Sequence, residues 1–341
     1  MPARHRLSTA AVALTTVLTA GAAALLTGCG PENDPASAGP AVSGTATAAA
    51  PATGSPGSTG PAPAKPAEPA VNGTGKNGLT ISNGTDHVLM NGTSVDFGTV
   101  VRDLAWSPDG SKAAFINGSG DLVTANPDGS GRVVVAGNPG GETWSHPTWQ
   151  VAPAHPENGD VSAKNNLVFA AAKGGVSRLE GLVATSVNGR PEVLSLGTES
   201  GEGVAPLPTT GNTWPSGGGA YGTTTYANSD NGEVYIRDDY LRQQGGSLTN
   251  GSQPALSPAG DDLVFVRSVD GHDHIFEGGA GDRPIRDLTP AATTDFTEPA
   301  WSPDGLTIAA RTPDGIYTLR VDGSDKPARV STYTGLPAYR R

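Results

Sequence analysis

From residue 77 onward, short runs of apolar and β-branched residues alternate with clusters of Gly, Asp, Asn and Ser, and no window carries a sustained helical period. Trp106-Ser107-Pro108-Asp109-Gly110 returns unchanged at Trp301-Ser302-Pro303-Asp304-Gly305, and Leu256-Ser257-Pro258-Ala259-Gly260 is a near copy. Ser, Pro, Asp and Gly in that order suit the four positions of a type I turn, with Pro presetting φ and Gly tolerating the fourth position. The bulky residue before each turn ends one strand, and an apolar run after it begins the next. A recurring hairpin is therefore expected.

The bulky anchors are read at Trp106, Trp149, Trp214, Leu256, Trp301 and Tyr339, with spacings of 43, 65, 42, 45 and 38. Pro147-Thr148-Trp149, Pro254-Ala255-Leu256, Pro299-Ala300-Trp301 and Pro337-Ala338-Tyr339 share one local frame. Second strands are predicted around Ala113–Ile116, Leu167–Ala170, Thr223–Tyr226, Leu263–Val266 and Thr307–Ala310. Third strands follow near Leu122, Leu182, Val234, His274 and Ile316, and short fourth strands near Val133, Val193 and Ala328. A four-stranded propeller blade takes about 40 to 45 residues. Residues 77–341 supply 265 positions, enough for six blades. Three strands near Leu79, His87 and Ser94 have no anchor before them, while Leu336–Tyr339 is an anchor strand with nothing after it. The C-terminal strand is expected to complete the N-terminal blade, which hides sheet edges and closes the ring. The fold class is all-β: a six-bladed β-propeller of four-stranded blades.

The marker and its strand frame resemble the TolB-like, WD-type β-propeller repeat over most of residues 79–341, carried on a lipoprotein of actinobacterial style. The resemblance implies a non-enzymatic propeller that binds partners, as TolB does in the Gram-negative envelope. The separate N-terminal α/β domain of TolB has no counterpart here, so the literal TolB role does not transfer.

The N-terminus adds location. Arg4 and Arg6 precede an uncharged segment from Leu7 to Gly28 that ends in Leu26-Thr27-Gly28-Cys29. A basic start, an apolar stretch and small residues at the end make a signal peptide, and the leucine three residues before the cysteine resembles a bacterial lipobox. That resemblance implies removal of residues 1–28 and a lipid on Cys29. The alternative is an uncleaved membrane anchor, since 22 uncharged residues can span a bilayer. Cys29 is the single cysteine, so no intrachain disulfide forms. Residues 30–76 are mostly Pro, Ala, Gly, Ser and Thr, with no aromatic, Leu, Ile or Met and only Val42 and Val71 as larger aliphatics. Such a stretch cannot build a core and is expected to act as a tether, its ends roughly 35–40 Å apart as a flexible coil.

The net charge of −11 becomes −13 once residues 1–28, which hold two arginines and no acid, are removed. That balance argues against nucleic acid as a partner and assigns membrane attachment to lipid rather than to a basic patch. The expected location is the outer face of the cell membrane, with a monomeric head and an envelope protein or peptide as partner.

Catalytic signatures are missing. There is no Gly-x-Ser-x-Gly elbow, phosphate loop, Cys/His cluster or EF-hand loop, and no cofactor or metal is expected. The Asp-Gly pairs fit hairpin turns. His272-Asp273-His274 could offer two imidazoles to a metal or form a polar turn. Trp144 lies off the repeat, beside Glu142 and His146, and is a candidate surface anchor for a partner. Insertions at Val151–Asn166 and Gly197–Thr213 break the period. Propeller geometry is expected to bring Glu142, Trp144, His146, Glu202, His272 and His274 toward one channel mouth, on loops held by a rigid scaffold. The functional expectation is a non-catalytic protein- or peptide-binding platform. The alternative is an enzyme or carbohydrate-binding propeller with its site in the same funnel.

Overall fold

In the computed structural model, the described residues are 70–154, 162–196, 206–237, 245–278 and 284–341. Cys29, Glu202 and the expected tether up to residue 69 lie outside them. Among the described residues the runs of β-branched and aromatic side chains form 24 strands and no helix. The first blade holds β1 (Leu79–Ser82), β2 (His87–Met90) and β3 (Thr93–Asp96); the second holds β4 (Arg102–Trp106), β5 (Ala113–Ile116), β6 (Leu122–Ala125) and β7 (Val133–Ala136). The third runs from β8 (Thr143–Ala152) through β9 (Lys164–Lys173) and β10 (Val176–Val183) to β11 (Glu192–Val193). The fourth comprises β12 (Asn212–Gly218), β13 (Thr223–Asn228), β14 (Glu233–Arg237) and β15 (Gly245–Asn250). The fifth comprises β16 (Ser252–Leu256), β17 (Leu263–Val269), β18 (His272–Glu277) and β19 (Arg286–Asp287). The sixth comprises β20 (Thr297–Trp301), β21 (Thr307–Thr312), β22 (Gly315–Arg320) and β23 (Ala328–Ser331), after which β24 (Leu336–Tyr339) crosses to the first blade.

Each blade is an antiparallel four-stranded sheet, and the first has the order β24-β1-β2-β3. The C-terminal strand pairs Leu79 with Tyr339 and Ser82 with Leu336, so the ring closes as expected. The innermost strands β24, β4, β8, β12, β16 and β20 touch in ring order and surround the central channel.

The hydrophobic core is six packets, one per blade interface. Trp106 and Phe115 of the second blade meet Val88 and Met90 of the first; Trp149 and Phe169 of the third meet Ile116 and Leu122 of the second. Tyr226 packs on Leu179, Phe265 on Val234, Trp301 on Val264, and Ile81 on Ile316 around the rest of the ring. Burying an aromatic side chain removes roughly 150–250 Å² from water, which explains why an aromatic anchor recurs. The anchors also tie backbone to backbone. The Trp149 indole N–H donates to the Ala105 carbonyl at 3.2 Å and that of Trp301 to the Ala255 carbonyl at 2.9 Å. At the closing interface the Trp106 N–H donates to the Thr80 hydroxyl at 2.9 Å, which donates to the Ala338 carbonyl at 3.0 Å.

The marker pentapeptides form the expected turns. Gly110 N–H donates to Ser107 O and Gly305 N–H to Ser302 O, while the hydroxyl of each Ser donates to the Asp two residues on. Those Ser bonds, the largest cause in each case, hold the Asp109 and Asp304 carboxyls below the usual carboxylate range.

Four features differ from the sequence reading. The third blade's central hairpin turns at Gly174-Gly175, earlier and with longer strands than expected, and fourth strands β15 and β19 had no legible signal. Residues 71–74, at the end of the expected tether, lie on the propeller. Val71 exchanges bonds with Thr332, Thr74 is fully buried and accepts from Gly92 N–H, and Gly73 packs on Val330 with φ of 72°. Trp214 is not an anchor. The pairing registers place Gly217 opposite Thr224, where Trp106, Trp149, Leu256 and Trp301 stand in their blades. The fourth blade comes so close that a Cβ at Gly217 would lie 2.2 Å from the Trp149 carbonyl oxygen, leaving no room for a side chain.

Candidate functional site

Every innermost strand from the second blade to the sixth contains the same irregularity. The register shifts between Arg102 and Ala105, Ser145 and Thr148, Thr213 and Ser216, Ser252 and Ala255, and Thr297 and Ala300. In each bulge one non-glycine residue takes a left-handed conformation: Asp103 (φ 54°), His146 (50°), Trp214 (45°), Gln253 (48°) and Glu298 (50°). Such a conformation costs on the order of 1–3 kcal/mol for a residue with a side chain. Four of the five are followed by proline, which removes one donor from the strand where the ladder is already broken.

These five residues lie at one level of the ring and line the same channel cavity, about 330 Å³ in volume. Several touch. Asp103 Oδ2 accepts from His146 N–H at 3.1 Å, and Gln253 Oε1 accepts from Glu298 N–H at 2.6 Å. The His146 imidazole lies against the Trp214 indole with ring centres 5.3 Å apart. Across the channel, from the third blade to the sixth, His146 Nε2 faces Glu298 Oε1 at 4.0 Å; the other Glu298 oxygen lies 3.1 Å from Nε of the exposed Arg311. His146 Nε2 and Trp214 Nε1 are buried atoms with no hydrogen-bond partner, an arrangement that is costly unless something completes it. Above the mouth, Arg102, Asp295 and Arg311 border a more open groove that shares Asp103 and Glu298 with the channel.

Of the residues singled out from sequence, His146 stands at the mouth. Trp144 does not: it is 2% exposed, packs against Phe169 at 4.8 Å and belongs to the core between the second and third blades. Its expected role as a surface anchor is therefore corrected, because alternation along the long strand β8 turns its ring inward. Glu142 is occupied too, accepting from the Trp144 indole at 3.1 Å and pairing with Lys173 at 3.4 Å. His274 is buried and paired with Asp287 at 2.9 Å on the outer side of its blade, whereas exposed His272 meets Asp295 at 3.3 Å near the groove. The expected convergence of these residues is not observed. Asp103, Gln253 and Glu298 escaped the sequence reading and Trp214 entered it only as an anchor, although each precedes the anchor position by three residues.

The residues with most ligand potential for a metal are elsewhere. Asp86, His87 and Asp96 on the first blade bring one ligand atom each within 4.8 Å of one another, all exposed. Their bonding is that of an ion pair: the contact with Asp86 raises the His87 imidazole above its ordinary value, and the same contact lowers Asp86.

No protein-family model matches the sequence, and no curated protein matches it. Solved structures do. TolB from Acinetobacter baumannii matches with a TM-score of 0.53 at 14% identity over 77% of this chain, and the chain spans 65% of that protein's length. A putative TolB from Agrobacterium tumefaciens matches with a TM-score of 0.52 at 17% identity, covering 75% of this chain and 89% of that one. At these identities the likeness establishes architecture: the chain is a six-bladed β-propeller with the fold seen in TolB structures.

Proposed function

We propose that this protein is an exported lipoprotein, attached through Cys29 to the outer face of the cell membrane, whose propeller is a non-catalytic platform for a protein or peptide partner. One observation carries the binding role. Around a repeat in which a small residue recurs in all five blades, a proline in four and a bulky anchor in all but the fourth, the one position that faces the channel from a strained bulge holds Asp, His, Trp, Gln or Glu. Packing needs explain the constant positions, and they do not explain that variety. Strain and unpaired polar atoms collected at the mouth of a rigid ring are features of a recognition site. The likeness to TolB structures supports the platform reading at the level of fold. The lipobox-like Leu26-Thr27-Gly28-Cys29 and the tether composition support the location.

A photo-crosslinking residue placed at Gln253 in the membrane-attached protein tests the binding role, with the same residue at Asp109, on the opposite face, as control. The expected result is a discrete peptide adduct from position 253 that is lost in Trp214→Ala. Equal labelling from both positions, or none, overturns the reading. For attachment, Cys29→Ser is expected to abolish palmitate labelling and release the head; continued membrane retention would instead support an uncleaved anchor.

A further inference from the structure

The charge and hydrogen-bonding inventory of the mouth narrows the ligand. Among the described residues no cation pairs with Asp103, whose carboxylate bonds to the His146 backbone and otherwise faces the channel. Glu298 is only partly engaged: Arg311 approaches one oxygen from the exposed rim, and the other points across the channel to His146. In blade order from Asp103 to Glu298 the ring carries an aromatic surface, the Trp214 indole with the His146 imidazole against it. A carboxylate and an aromatic ring facing one space favour a positive charge, which gains from both the full charge and the ring quadrupole. The Trp214 N–H needs an acceptor as well, and a backbone carbonyl next to the charge supplies it. Of the cations nearby, Arg102 and Arg311 border the outer groove and do not line the channel cavity, while Arg341, which does line it, has its backbone beside the Gly110 turn, past the anchor end of β4 and away from Asp103. At about 330 Å³ that cavity is of a size for one long side chain or chain end, near the lower limit of about 300 Å³ for small-ligand pockets. The whole chain carries −11, which favours the approach of a basic partner.

We propose that the channel mouth is a subsite for the alkylammonium group of a partner peptide, held between Asp103 and Glu298 and against Trp214. This rests on the reading of the mouth as a peptide site. The group comes from a lysine side chain or from a free N-terminus, and both share the same chemistry. Entry of the cation displaces the imidazole from Glu298, replaces a 4.0 Å contact by a direct ion pair and leaves Arg311 in place on the rim.

The test follows the indole ¹⁵N–¹H resonance of Trp214 in the full chain, assigned with Trp214→Phe, during titration with small probes. N-acetyl-lysine methylamide supplies the side-chain ammonium, and alaninamide supplies the chain end. N-acetyl-norleucine methylamide is the uncharged isostere, and glucosamine tests an amino sugar. A saturable shift with at least one ammonium peptide probe, at least tenfold stronger than with the isostere, is expected. Which of the two probes shifts it distinguishes side chain from chain end. Glu298→Gln and Asp103→Asn should each weaken that binding at least tenfold while the other four indole resonances stay in place. Equal binding of the norleucine probe overturns the cation subsite and leaves the peptide reading standing. A shift with glucosamine alone, or with no probe, overturns both.

Discussion

Thr80 offers the sharpest test of how the ring is closed. At two interfaces the anchor indole reaches the neighbouring blade's carbonyl directly, but at the closing interface the Thr80 hydroxyl stands between Trp106 and Ala338, with bonds of 2.9 and 3.0 Å. Thr80 is 2% exposed, so water cannot replace it. Thr80→Val keeps the shape of the side chain and removes both bonds, leaving the Trp106 N–H without an acceptor. An orphaned buried donor costs about 1–3 kcal/mol and the lost carbonyl bond about 0.5–1.5 kcal/mol. Relief of the hydroxyl's own desolvation offsets part of this, so a net loss of about 2–3 kcal/mol is expected. Thr80→Ser keeps both bonds and loses one methyl group, for about 1 kcal/mol or less. The measurement is urea unfolding of the full chain followed by circular dichroism, compared at equal slope. A double-mutant cycle with Trp106→Phe should return a coupling of about 1–2 kcal/mol, because valine costs less once the indole is gone. A Thr80→Val variant within 0.5 kcal/mol of the parent on the same scale, or an additive cycle, refutes the relay.

Trp301→Ala should cost about 3–5 kcal/mol in the same assay, whereas Trp214→Ala should leave the transition nearly unmoved, since Trp214 lies in the channel and Gly217 holds the anchor position; equal losses would restore Trp214 as an anchor. Tyr226 has a fully buried hydroxyl with no partner, and burial pushes its phenol upward, so Tyr226→Phe is expected to stabilise by about 1 kcal/mol; destabilisation would reveal a missing bond. Burial first and the Asp304 charge second push the Tyr339 phenol from 10.0 up to about 12. The unfolded chain then releases this proton before the folded one, so the stabilisation is whole below pH 10 and fades as pH rises toward 12; Tyr339→Phe should remove that part of the alkaline slope in unfolding midpoints, and an unchanged slope sinks the assignment.

Much of the architecture was legible before any coordinates, for local reasons. The Trp-Ser-Pro-Asp-Gly copies determine a turn through the φ of Pro and the bonding of Ser and Asp, and the alternating runs between turns can satisfy their backbone only as strands. The unmatched strands at both ends point to closure through Leu336–Tyr339, because an open edge is costly. The site was less legible. Trp214 attracted the anchor role because an aromatic residue at nearly the right spacing satisfies a period, yet only the pairing of Thr213 with Ala227 and of Ser216 with Thr225 shows that it lies inside the bulge, three residues before the anchor position. Trp144 looked like an exception to the repeat, and a longer strand buries it. His146, Asp103, Trp214, Gln253 and Glu298 are separated by tens of residues, and what joins them is a ring that exists only when six sheets close around an axis. Local sequence determines which segments pair and turn, since those preferences act within a few residues. Which side chains face the channel depends on a one-residue bulge repeated around the ring, and tertiary packing alone decides that.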